Sequence, residues 1–507
     1  MNEQQIKLVK LPNSAMTQEQ LMDSNRIVAH MKRGIEVTCL IPGTIDELRT
    51  DSKSFISKYN IHIDDPYALE LAALPENKAR RVEIETGLAL KNKSGEELDE
   101  FLRSIPIEYF RYYQFMMNKL YLRNVLKDKG YVPGNEKIRQ WRERQINRCL
   151  GSLGGVNEAF VHAVATFELA DGCSVGCDFC GLGAGKLKKL FRCTPENSKL
   201  FKDVIKVCHE VIGGAGGGGM LYFATEPLDN PDYKQFEDDY YEEYGLLPQI
   251  TTAVADRDIE RTREFVSELY TRKGGFIHRF SIRSLEMAER IFNAFTPEEL
   301  LLVELLPQFP EAPAFVKYTV VGNEAKKTEV NSLSASDTES NDVISDPGTI
   351  CCIDGFRINF ARKELSIFTP CHMTDENPNG IAIAATVSFE DGEDFKNKLN
   401  LLIDEYMVID VPRDEKLKIY DYFKLKYDER RGNILQSIYG GETLLLDKFK
   451  EDYMVDVIKS LMEGCYTKSE LAAKIYSEHG VPTEHVFYFI NQLWKKGFIV
   501  DTKFFSH

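Results

Sequence analysis

No run of apolar residues in this 507-residue chain is long enough to cross a bilayer. The longest, Leu300–Val303 with Leu305 and Leu306, falls far short of the roughly 20 residues a helical span requires. The first residues, Met1-Asn-Glu-Gln-Gln-Ile-Lys, lack the apolar core of a secretory signal. The expectation is a cytoplasmic protein with no membrane partner. Basic charge is also scarce: 63 Lys and Arg against 79 Asp and Glu leave a net charge of −16. Sequence-blind binders of nucleic acid are normally basic, so this balance argues against nucleic acid as a partner. A cytoplasmic chain has no need of disulfides. The eleven cysteines are therefore either buried small apolar groups or chemistry.

At this length two or three domains are expected. Residues 1–155 read as mostly helical, with helical apolar spacing from Glu97 to Lys127. Arg139 to Arg148 reads as a basic helix with a solvated face and Trp141 packed inward. From about 160, strands alternate with helices. Strands are expected at Val161–Leu169, Met220–Ala224, Gln249–Val254, Phe276–Ile282, Leu301–Leu306 and Phe315–Val321. Helices are expected at Glu196–Val211, Asp232–Tyr244, Asp258–Arg272 and Leu285–Phe295. Repeated βα units of this length imply a parallel sheet, barrel-like or doubly wound. Gly322 to Gly348 reads as a polar insertion. A hairpin follows at Phe356–Phe360 and Glu364–Phe368, then a helix at Asp391–Tyr406. Near the C-terminus stand a helix at Tyr453–Glu463, a second capped by Thr467 and Glu470, a third at His485–Lys496 and a strand at Phe498–Val500. That order suggests a winged-helix-like module. The resulting division is 1–155, 156–385 and 386–507.

Chemistry concentrates in Cys173-Ser-Val-Gly-Cys177-Asp-Phe-Cys180, a C-x3-C-x2-C spacing directly after the first expected strand. The loop therefore leaves the C-terminal edge of a sheet, where α/β folds place active sites. Three thiolates suit a soft metal site. A [4Fe–4S] cluster usually takes four cysteines, so three leave one iron open, as catalytic metal sites keep a free position. A structural zinc site is the competing reading, with Cys193 or His209 as fourth ligand, although zinc more often uses paired C-x2-C knuckles. Two other motifs fail their structural tests. Gly214 to Gly219 matches G-x-G-x-x-G but precedes a strand, and Gly181 to Lys186 resembles a phosphate loop with the wrong spacing and Leu187 where Ser or Thr is needed.

This spacing, with Phe179 just before the third cysteine, resembles the radical S-adenosylmethionine (SAM) superfamily. The resemblance implies an α/β fold: a partial (β/α)6 radical SAM barrel over about 160–320, between the helical N-terminal region and the winged-helix-like C-terminal module. It implies Cys173, Cys177 and Cys180 as ligands of a [4Fe–4S] cluster whose open iron SAM chelates. Reductive cleavage of SAM then releases a 5′-deoxyadenosyl radical, with electrons from a flavodoxin- or ferredoxin-like donor. Ala224-Thr225-Glu226-Pro227 resembles the family's Gly-Gly-Glu-Pro motif with both glycines replaced, which implies that Glu226 holds the SAM amino group. Ser281 and Arg283 match positions that contact the ribose and carboxylate, and Thr252 ends the third strand beside them.

After the barrel only Cys351, Cys352, Cys371 and Cys465 remain, too few for two auxiliary clusters. Trp141-Arg-Glu-Arg-Gln-Ile-Asn-Arg-Cys149, Phe167-Glu-Leu-Ala-Asp-Gly-Cys173, Thr369-Pro-Cys371-His-Met and Asn377-Pro-Asn-Gly-Ile381 together resemble the radical SAM peptide epimerases of proteusin maturation. The resemblance implies conversion of L-residues of a ribosomally made precursor peptide, leader plus core, to D-residues. Cys371 would be the hydrogen donor, with Cys351 and Cys352 as fallbacks, and the C-terminal module would take up the leader as an added strand. Two other classes stay open: a radical SAM splicing enzyme that excises part of a tyrosine, and a non-enzymatic binder using the cluster as a sensor.

Overall fold

The computed structural model describes residues 18–87, 94–125, 127, 131–272, 277–315, 321–323, 348–430, 432–440, 443–445 and 452–505. The chain is mixed α/β and divides into two compact units, each discontinuous in sequence. One comprises Met1–Val125 and Gln249–Val316; the other comprises Leu126–Pro248 and Lys317–His507. This division does not follow the boundaries at 155 and 385 expected from sequence. Most of the expected insertion (324–347) and 316–320 of the expected sixth strand lie outside the described residues.

In chain order the strands are β1 (Ala163–Glu168), β2 (Ala170–Asp171), β3 (Lys189–Leu190), β4 (Thr251–Thr252), β5 (His278–Ile282), β6 (Val303–Pro307), β7 (Ile353–Asn359), β8 (Glu364–Pro370), β9 (Ile381–Ser388), β10 (Phe423–Asp428), β11 (Gly432–Ser437) and β12 (Thr443–Leu445). They form several small sheets, and among the described residues none closes into a barrel.

In the first unit, β4, β5 and β6 pair in parallel, with helices Ile259–Thr271 and Leu285–Ala294 between them. These helices fall where helical spacing put them. Their apolar stripes close a core of Val266, Phe280, Ile282, Ile291 and Val303. The helices Gln18–Leu40 and Ile107–Val125 belong to this unit too. Of the expected third strand only Thr251 and Thr252 pair.

In the second unit, β1 lies beside β7 in parallel, and β8 and β9 follow antiparallel, so the sheet order is β1-β7-β8-β9. The hairpin at β7–β8 stands where expected. The expected strand Met220–Ala224 reduces to one parallel bridge between Thr166 and Met220. Side chains of β1 hold several of its backbone groups. The Thr166 hydroxyl is bonded to the Met220 and Tyr222 carbonyls (3.2 and 2.6 Å), and the Ala224 N–H donates to the Glu168 carboxylate (2.9 Å).

The basic helix corrects a second expectation. It runs Glu136–Leu153, and Trp141 is buried, but so are Arg142, Arg144 and Arg148. These three guanidiniums find partners inside the unit, while Glu136, Arg139 and Glu143 keep the solvated face that was expected. Arg144 pairs with Asp501 and stacks over Trp494 at 3.9 Å.

At the C-terminus β10, β11 and β12 form an antiparallel sheet ahead of three helices, Asp452–Glu463, Lys468–His479 and Thr483–Lys495. Thr467 and Glu470 form the expected capping box. Leu435, Val457, Leu471, Ile490 and Trp494 share one core. The expected strand Phe498–Val500 reduces to an Ile419–Ile499 bridge. Among the described residues no helix is long and apolar enough to cross a membrane.

Candidate functional site

The cysteine loop leaves β1 through the short β2–β3 pair and is closed by its own backbone. The Cys173 N–H donates to Gly185 O (2.9 Å), and the Leu187 N–H donates to Cys173 O (3.0 Å). Gly172 has φ +90°, and a Cβ there would stand 2.2 Å from Lys186 O, so only glycine fits the entry to the loop. Farther along, Cys180 N–H donates to Cys177 O (3.2 Å). Asn323 holds this end: its side chain donates to Cys177 O (3.1 Å) and its N–H to Cys180 O (3.0 Å).

All three thiols are half-buried, as is Phe179. The Val175 N–H points at Cys173 Sγ, 3.4 Å away. Burial pushes the Cys173 thiol up; the N–H groups of Val175 and Gly176 oppose that shift, and Glu226 and Asp229 add to it. Three soft donors on one glycine-supported loop, with a backbone N–H already aimed at a sulfur, fit an iron–sulfur group.

Glu226 is buried and caps the turn Pro227–Asp229, accepting from the Leu228 N–H (3.1 Å). Asp229, three residues on, binds the cysteine loop: its carboxylate accepts from the Ser174 N–H (2.8 Å) and hydroxyl (2.5 Å). The Glu226 turn and the cysteine loop are thus brought together. Asp229 and Asn323 were missed from sequence. Asp229 carried a faint signal, as a carboxylate in the same turn as Glu226; Asn323 carried none.

Thr252, Ser281 and Arg283 belong to the other unit, where they gather at the ends of β4 and β5. Thr252 and Ser281 are buried, and Arg283 is exposed. Arg283 Nε donates to Ala253 O (2.6 Å), and the Thr252 hydroxyl accepts from the Val254 N–H (3.1 Å).

Cys371 follows β8 and is 4% exposed. Burial pushes its thiol up to about 12, against the nearby Arg148. Because β8 runs antiparallel to β7, Cys371 lies toward the start of β1, the sheet edge opposite the one from which the cysteine loop departs. The loop itself bridges this separation. Gly183 packs on Asn379, and the neighbouring Gly380 carbonyl accepts the Cys371 N–H (2.9 Å). His372 stacks on Tyr439 at 4.5 Å.

Beneath Cys371 lies a buried polar network the sequence did not reveal. Asp354 accepts from His162 Nδ1 and from the Thr369 hydroxyl. Arg148 donates to the Thr369 hydroxyl (2.9 Å), to Cys149 Sγ (3.2 Å) and to Pro370 O. Cys149, His162 and Asp354 place one ligand atom each within 4.8 Å of one another, a donor set a divalent cation accepts. Both Asp354 oxygens are already hydrogen-bonded, however, and Arg148 supplies the balancing charge. The set reads as a polar network in which only His162 Nε2, buried and without a hydrogen-bond partner, is left unanswered.

No family model matches the chain, and no solved structure matches it. An uncharacterized protein of Sinorhizobium fredii, y4wI, is 37% identical over 296 residues, 58% of this chain. The chain spans 57% of the length of that relative.

Proposed function

We propose that the chain is a radical SAM enzyme that epimerises residues of a ribosomally made precursor peptide. The observation that carries this reading is the contact between the Cys173–Cys180 loop and the Glu226–Asp229 turn through Ser174 and Asp229. It sets the loop that carries the three cysteines beside the turn that carries the buried Glu226 carboxylate, the donor types such an enzyme needs. The parallel β4–β5 and β5–β6 pairings, with helices between them, suit the βα units of a partial (β/α)6 barrel. Cys173, Cys177 and Cys180 would hold a [4Fe–4S] cluster, and Glu226 the amino group of SAM. When bound, this pair supplies a 5′-deoxyadenosyl radical, which takes the α-hydrogen of a peptide residue.

Cys371 then returns a hydrogen atom from the other face of the planar α-carbon. Its S–H bond breaks, a C–H bond forms, and the sulfur is left one hydrogen short. One electron from a flavodoxin- or ferredoxin-like donor and one proton restore the thiol. The thiol is the form that donates a hydrogen atom, and burial keeps Cys371 protonated at neutral pH, with its ionisation pushed up to about 12.

The test is co-expression with a candidate precursor peptide, in deuterium oxide. Each epimerised residue is expected to gain one deuterium with no other mass change. Cys371→Ala should still form 5′-deoxyadenosine but add no deuterium. Loss of a peptide fragment would favour splicing. A reconstituted, reduced chain that makes no 5′-deoxyadenosine from SAM would leave a sensor.

A further inference from the structure

We propose that Arg148 is a positioning residue for Cys371, fixing the strand end that aims the thiol; this rests on the hydrogen-donor reading above. The peptide group that leads into the Cys371 α-carbon is held on both sides: its Pro370 carbonyl accepts from Arg148, and its Cys371 N–H donates to Gly380 O (2.9 Å). With that peptide plane fixed, the Cα–Cβ direction of Cys371 can change only by rotation about the N–Cα bond.

Arg148 is itself over-determined. It is 2% exposed. Its Nε donates to Gln145 (2.7 Å), and its Nη2 lies against Thr369 Oγ1, Cys149 Sγ and the Pro370 carbonyl. The ring of Phe505 lies 4.9 Å from the guanidinium carbon. Thr369 passes the restraint to Asp354, and Asp354 to His162. His162 holds a left-handed backbone, φ 50°, just before β1. A non-glycine residue persists in that conformation only where its surroundings enforce it. A planar group anchored on Gln145 through Nε while Nη2 reaches the Pro370 carbonyl is a task lysine's point charge does not reproduce.

Hydrogen transfer is sensitive to placement: a shift of about 1 Å costs on the order of 100-fold in rate. Abstraction and donation are separate steps, so a misplaced Cys371 should uncouple them. The readout is the ratio of 5′-deoxyadenosine formed to deuterium incorporated. Arg148→Lys keeps the charge and loses the fork, and is expected to raise that ratio at least tenfold over wild type. Thr369→Val removes one hydroxyl, tests the same restraint with less risk to folding, and should raise the ratio in the same direction. A general loss of structure would depress both products together and leave the ratio unchanged.

A second measurement needs neither cluster nor SAM. The Arg148 charge favours the Cys371 thiolate, with Cys149 the other ionisable group facing it. Iodoacetamide labelling of Cys371 at pH 9 in the metal-free chain should therefore be slower in Arg148→Gln than in wild type. If wild type adds no deuterium, the epimerase reading fails while slower labelling still supports the placement of the Arg148 charge beside the Cys371 strand end. Wild type that incorporates deuterium, with unchanged ratios in both Arg148→Lys and Thr369→Val while each variant still forms 5′-deoxyadenosine at the wild-type rate, overturns the proposal. Equal or faster labelling in Arg148→Gln overturns it too.

Discussion

A carboxylate with no exposed surface is costly unless its charge is answered. Asp354 is 0% exposed. Burial alone would raise it, but His162, Arg148 and Thr369 together hold it below the usual carboxylate range. Removing one partner of such a set leaves another charge stranded. Asp354→Asn should therefore destabilise the protein by about 3–5 kcal/mol, read as a lower urea midpoint; a change under about 1 kcal/mol would mean that Arg148 finds another partner. This residue also marks where the sequence stopped being legible. The cysteine spacing could be read because all three thiols sit on eight consecutive residues. Arg148 and Thr369 are 221 positions apart, and Arg144 and Asp501 357 apart; no local pattern announces such pairs. A basic helix with an inward tryptophan looks the same in sequence whether its arginines face water or a core.

At the scale of elements, helices and the hairpin were legible because a buried face repeats at a fixed period, and the capped helix at Thr467 came with its own signature. The second strand was not, because the Thr166 and Glu168 side chains capture backbone groups a strand partner would have used. The glycine run before it is explained by packing: a Cβ on Gly218 would stand 1.6 Å from the ring of buried Tyr131. The arginine helix gives two tests. Alanine is worth about 1 kcal/mol over glycine in a helix interior, yet a Cβ on Gly151 would meet Phe423 at 2.4 Å, a ring that is 1% exposed. Gly151→Ala should therefore lower the melting temperature. The Arg144–Asp501 pair is 4% and 3% exposed. Arg144→Ala should cost about 3–5 kcal/mol by leaving Asp501 buried and unpaired, whereas the double change Arg144→Met, Asp501→Leu should recover most of it. A double-mutant cycle by urea unfolding measures the difference.

For the molecule as a whole, the response to acid follows from histidines buried in each unit. His278 in the first unit accepts the Ile250 N–H at Nδ1 (3.3 Å) and is 1% exposed; burial lowers it to about 3. His162 in the second is fully buried and likewise lowered by burial. Each is neutral when folded and takes up a proton when unfolded, at about pH 6.5. The unfolded state therefore binds more protons below that pH. The His278 contribution is complete above about pH 6.5 and falls away at about 1.4 kcal/mol per pH unit down to about pH 3, and that of His162 falls in the same direction. Asp354, depressed rather than raised, loses its contribution in the same direction but only below the ordinary carboxylate value of about 3.9. Histidine losses thus come first, and between pH 7 and pH 5 they should dominate. Over that interval His278→Leu should lose about 2 kcal/mol less than wild type, measured as the difference in urea unfolding free energy at the two pH values. Parallel losses in both proteins would mean that His278 is already charged inside the fold. The first unit would then have to hold a cation where Ile250 donates a hydrogen bond, a conflict that would show as loss of amide protection at Ile250 on acidification.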